Sequence, residues 1–224
     1  MKKETKTWLW SFTAGFMATV LGIVLTFGVQ GMINSGKRTR MARLLAEQIV
    51  EKMDRTYQEL HEYVDTYDSI DSTYRCLHLA IQADTLDSVD SKVVDEFLVN
   101  SLSEYVQAEV DNGMDAYISE ILATIGNVDL IGHIDQFYNL ARQCVKVSQQ
   151  VIDQKRVVSD LTYSHFFGKD GTVTNLDYVR FLDGLPEFNV FYSRIQQARY
   201  PLTEGEVLML AELDACKDIL NIER

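Results

Sequence analysis

The chain has 224 residues, with 33 Asp/Glu against 21 Lys/Arg, a net charge of −12, two prolines and three cysteines. Seven of the Lys/Arg and one acid fall in residues 1–43, which leaves 14 Lys/Arg against 32 Asp/Glu in residues 44–224. So acidic a segment, with no basic stripe, argues against nucleic acid as a partner and against lying flat on anionic lipid, both of which need clustered cations. Cys76, Cys144 and Cys216 are far apart, with no C-x-x-C and no histidine at metal spacing. That pattern implies neither a disulfide framework nor a zinc site. Cys144 and Cys216 stand beside apolar residues at helical spacing and are expected in the core.

From Thr7 to Gly36 there is no charged residue. The apolar stretch Trp8 to Ile33 is long enough for a helix to cross a hydrocarbon core, which needs roughly 20 residues. Lys2, Lys3 and Lys6 precede it, as in an export signal. The run is too long for a cleaved signal and closes on no small-x-small site, so a retained signal-anchor is expected. Trp8 and Trp10 mark its interfacial edge. Ala14, Ala18, Gly22 and Thr26 recur every fourth residue, a small-residue face on which a second membrane helix can pack closely. Lys37, Arg38, Arg40 and Arg43 come after the run, so both flanks are basic. The signal-like layout favours the N-terminus inside, which places residues 37–224 outside a bacterial cytoplasmic membrane.

The remainder is patterned as helix. Met41, Leu45, Ile49, Met53, Tyr57, Leu60, Val64 and Tyr67 lie on one face of a long amphipathic helix that begins at Thr39 and is open to being a continuation of the anchor. Helix interrupted by acids is expected over Ser69 to Asp90, where Asp84, Asp87 and Asp90 lack the glycine and terminal Glu of a calcium loop. Asp90 or Ser91 caps a helix with the core face Val94, Phe97, Leu98, Leu102, Tyr105 and Val106. Met114, Tyr117, Ile118, Ile121, Leu122 and Ile125 form the next, stopped by Gly126. A turn over Asp129 to Gly132 leads to a helix from Ile134 to about Val158.

Phe166 to Thr174 reads as a glycine-rich turn. Its second half imitates a calcium-binding loop, but Phe166 stands where the first Asp belongs and Gly168 supplies no ligand. Asn175 is expected to cap a helix over Leu176 to Asp183, and Pro186 to open the next. Thr203 to Glu206, after Pro201, reads as a capping box that starts a separate last helix. His61, His78, His133 and His165 are scattered, and no nucleophile, phosphate-loop or di-iron spacing is present.

The anchor with Gly22-Ile23-Val24-Leu25, Lys37-Arg38, and the stretch Tyr117, Gly126, Ile131 and Tyr138 resemble a Bacteroidota family of short membrane-anchored proteins with a domain of unknown function. The Asn-rich exit of that family is reduced here to Gln30 and Asn34. The resemblance spans the anchor and about a third of the soluble part. It implies a helical domain on one span and supplies no active site.

The resulting expectation is an all-α protein: residues 1–36 form a tail and transmembrane helix, and residues 37–224 an acidic, bundle-like soluble domain. It meets the lipid bilayer through residues 8–33 and acts, without catalysis or cofactor, as a protein-interaction, scaffold or accessory subunit, with a protein partner or a second copy. The alternative is a sensory module that binds a small ligand and signals through the anchor helix.

Overall fold

A computed structural model describes residues 2–103, 127–168 and 173–222, with side chains from Arg40 onward. Among the described residues the protein is all-α, with five helices packed into a bundle. They are α1 (Lys2–Gln82), α2 (Ser91–Leu102), α3 (Val128–Phe166), α4 (Asn175–Gly184) and α5 (Pro186–Leu220), with a 3-10 turn at Leu86–Ser88. The predicted helix over Met114 to Ile125, its Gly126 stop, and Tyr105 and Val106 lie outside the described residues.

The core follows the apolar stripes. From α1 come Ala46, Ile49, Met53, Leu60, Tyr67, Ile70 and Leu77, which meet Val94 and Phe97 of α2 and the inner faces of α3 and α5. This stripe packs within the protein's own bundle. Met41, placed on the same face by spacing, is 62 % exposed, because the covered face of α1 at this end runs through Ala42 and Ala46 instead. At the junction of α1, α2 and α5 the Tyr74 ring lies 4.9 Å from Phe188 and 5.9 Å from Phe97, while Phe97 and Phe188 are 5.7 Å apart. Edge and offset contacts of this kind stabilise beyond the area they bury. Cys144 and Cys216 are buried, and burial pushes their thiols up, to about 11 and about 12.

Several boundaries differ from expectation, each for a local reason. The acids after Ser69 do not interrupt α1, which continues to Gln82 because Ile70, Tyr74 and Leu77 hold it to the core. The exposed stretch beyond it behaves as a solvated loop: Asp90 caps α2 through Lys92 N (3.0 Å), and Asp87 meets Arg180 at 2.8 Å. Asp129 to Gly132 is the first turn of α3 and not a separate turn, since the Asn127 side chain caps the amides of Asp129 and Leu130. That helix continues past Val158 to Phe166, where the Phe166 ring packs 4.2 Å from Tyr178 of α4. Gly168 closes it in the left-handed region at φ +74, as a turn glycine should. Thr174, not Asn175, caps α4, in a reciprocal box with Asp177.

The largest difference is at Pro201. No helix starts after it, because α5 runs unbroken from Pro186 to Leu220. A proline inside a helix lacks one amide donor and costs about 3 kcal/mol. Burial of Ala198, Leu202, Gly205 and Met209 on either side offsets that loss. Glu206 does not reach back to Thr203, being engaged from α1 instead.

Among the described residues, no helix is long and apolar enough to cross a membrane. The side chains of Trp8 to Ile33, including the proposed packing face Ala14, Ala18, Gly22 and Thr26, lie outside the described residues.

Candidate functional site

Two groups of polar side chains are built into the bundle. The first is a seam that pins α1 to its neighbours. Tyr57-Gln58-Glu59-Leu60-His61 and Tyr74-Arg75-Cys76-Leu77-His78 are two copies of Tyr-x-x-Leu-His on α1. In each, the leucine enters the core and the Tyr and His, one turn apart, converge on a carboxylate from another helix. His61 Nδ1 lies 2.6 Å from Glu206 Oε1, which also accepts from Tyr57 Oη at 3.2 Å. His78 Nδ1 lies 2.6 Å from Asp183 Oδ1, which accepts from Tyr74 Oη at 3.0 Å. Burial first, and then the facing carboxylate, raises the phenols of Tyr57 and Tyr74 above the ordinary tyrosine range. His133 makes the same contact with Glu212 at 2.6 Å, joining α3 to α5. Three of the four histidines are therefore helix-to-helix struts. Among the described residues, no three His, Cys, Asp or Glu side chains gather in a metal-holding group.

Asp71 is the centre of this seam. It is 6 % exposed, and its Oδ1 accepts from Arg75 Nε (3.0 Å), Gln196 Nε2 (2.6 Å) and Tyr192 Oη. Its Oδ2 accepts from Arg199 Nη1 at 2.7 Å, and Arg199 Nε reaches Asp68 at 2.6 Å. Burial alone would raise this carboxyl. The bonds from Tyr192 and Gln196 and the charges of Arg75 and Arg199 outweigh it and hold the group below the usual carboxylate range.

The second group surrounds a cleft of about 460 Å³ where the end of α2 meets α3, lined by Ser103, Lys155, Arg156, Ser159, Asp160 and Tyr163 over a floor of Leu102 and Ile152. That volume falls in the usual range of small-molecule sites. The inward stripe of α3 runs Cys144, Ser148, Val151, Ile152, Lys155, Val158 and Thr162. Lys155 therefore occupies a position where the helical period calls for an apolar residue, and it is 3 % exposed. Its Nζ donates to the Asn100 carbonyl at 2.8 Å, and Ser159 Oγ donates to that of Leu102 at 3.2 Å, so α3 satisfies carbonyls at the C-terminal end of α2. Burial lowers the amine to about 7, far below an ordinary lysine. Asn100 in turn donates from Nδ2 to Ser69 Oγ of α1 at 2.9 Å. A short chain of hydrogen bonds thus links the cleft to the first helix.

Sequence spacing alone singles out neither group. The repeated Tyr-x-x-Leu-His is visible in the chain, but its carboxylates lie more than a hundred residues away. Lys155 carries a clear signal, a lysine three residues from Ile152 and three from Val158 on one stripe. Comparison of the chain with protein-family models, curated proteins and solved structures finds no match.

Proposed function

We propose that the chain is a single-pass membrane protein, of the kind implied by the Bacteroidota resemblance, whose helical bundle docks a protein partner as a scaffold or accessory subunit. The apolar run Trp8 to Ile33 supports the anchor. The observation that carries the docking role is an apolar stripe on α5. Val207, Leu208 and Leu210 are grouped on the outer side of that helix, with Tyr200 two turns earlier beyond Thr203 and Glu204, and Tyr200 and Val207 are 74 % and 64 % exposed. Apolar side chains grouped outside a bundle mark a protein contact more often than chance surface. The fitting partner presents an apolar helix face, and its cost of docking is low because α5 is already held by the seam.

The test places a photo-crosslinking residue at Val207 of the full chain in its native membranes. A discrete adduct is expected, lost in Val207→Glu/Leu210→Glu, which leaves the helical content intact. No adduct, with the purified chain strictly monomeric, would remove the docking role.

The cleft favours a second reading, a sensory module. A ligand seated beside Lys155 is two hydrogen bonds from Ser69, and so acts on the helix that continues from the N-terminal run. A ligand can bias that helix only through contacts that differ between two states.

A further inference from the structure

We infer that the cleft between α2 and α3 captures a small carbonyl acid, of the 2-oxo-acid class, as a reversible imine on Lys155. This deepens the sensory reading and rests on it. Three features of the site support the assignment.

The first is placement. The core register of α3 makes Lys155 part of the cleft wall, with its amine on the Asn100 carbonyl at 2.8 Å, on a stripe where leucine or methionine would pack at no desolvation cost. The second is protonation. Burial brings the amine to about 7, so near neutral pH a large share is the neutral base, the form whose lone pair attacks a carbonyl. The third is the company it keeps. Arg156 lines the same cleft with its side chain largely exposed, and a guanidinium suits a carboxylate entering from solvent. Ser103, Ser159 and Tyr163 add hydroxyls, and Asp160 a carboxylate able to carry protons.

The chemistry balances without an oxidant or reductant. The Lys155 nitrogen bonds to the carbonyl carbon while the π pair moves to oxygen, which gains a proton as the nitrogen loses one. The carbinolamine then expels its hydroxyl as water, the nitrogen lone pair forms C=N, and hydrolysis reverses the sequence. Asp160 and Tyr163, on the lining of the same cleft, are the groups that would relay these protons. Imine formation also changes what the nitrogen donates to Asn100, the residue bonded to Ser69 of α1.

The experiment treats the full chain at neutral pH with glyoxylate and cyanoborohydride, which fixes an imine as a secondary amine, and maps the modified lysines by mass spectrometry. Lys155 is expected to react at least about tenfold faster than the exposed Lys92 and Lys146, because burial leaves much of its own amine neutral at that pH. Arg156→Gln should slow trapping by glyoxylate but not by propanal, a neutral aldehyde. Reaction at Lys155 no faster than at Lys92 and Lys146 would overturn the proposal and leave Lys155 as the cation that caps α2. Trapping at Lys155 that leaves amide hydrogen exchange along α1 unchanged would uphold the site and defeat the sensory reading.

Discussion

Gly205→Ala destabilises the bundle by about 1–3 kcal/mol, opposite in sign to most glycine-to-alanine changes in helices. An added Cβ at this position would stand 2.4 Å from Cys144 Sγ of α3, well inside contact distance. Both residues are buried where α3 and α5 run against each other, so the sulfur has little free room to rotate into. Alanine's better helix propensity, worth about 1 kcal/mol, is outweighed by this overpacking. Two comparisons separate the clash from a generic effect. Gly132→Ala on α3, where nothing lies within 4 Å of the new atom, should be neutral or stabilising. Cys144→Ala combined with Gly205→Ala should recover part of the loss, with a coupling of at least about 1 kcal/mol in the double-mutant cycle. Denaturant midpoints at constant m-value measure all of these. A Gly205→Ala protein as stable as the parent would mean the two helices are not this close.

The second large effect is at Asp71. Asp71→Ala removes a buried carboxylate that receives bonds from Tyr192, Gln196, Arg75 and Arg199, and is expected to cost about 2–4 kcal/mol. The figure lies below that for a sealed ion pair because the Arg75 side chain is largely exposed and Arg199 partly so, and both can recruit water. Asp71→Asn should fall between, since both oxygens accept bonds and an amide nitrogen must face a donor. The pH dependence has a definite sign. The folded carboxyl lies below its unfolded value, about 3.9, so its contribution is complete above that pH and is lost as pH falls through the folded pKa. The parent-minus-variant difference should therefore stay level from neutral pH down to about 4 and shrink below it. A difference that already shrinks between pH 7 and 5 would contradict a folded Asp71 carboxyl held below its ordinary value.

Much of the fold is legible in the sequence because it rests on local period. The α1 stripe from Ile49 to Tyr67, the Asp90 cap, Pro186 at a helix start and buried Cys144 and Cys216 all follow from neighbours within a few turns. The places that depart from expectation are those where a distant element decides. Pro201 has the look of an end, yet apolar contacts on both sides carry the helix through it. Thr203 and Glu206 have the spacing of a capping box, but His61 and Tyr57, some 145 residues away in sequence, hold Glu206. Gly132 suggests a turn, and the Asn127 cap starts a helix ahead of it. The cleft is hidden for the same reason: Lys155 is readable as a lysine in a core register, while Asn100 and Ser103 become its neighbours only in the fold.

The sidedness of Cys76 tests most directly whether the helical bundle is tethered to a membrane by the run Trp8 to Ile33. Cys76 is the exposed thiol, whereas Cys144 and Cys216 are buried, so a membrane-impermeant thiol reagent reads one position in the folded chain. A tethered bundle predicts that the chain stays with membranes after an alkaline wash and that Cys76 is labelled before the inner membrane is permeabilised. Release of the chain into the wash, with Cys76 labelled only after permeabilisation, would contradict both the anchor and the placement of the bundle outside the cytoplasm.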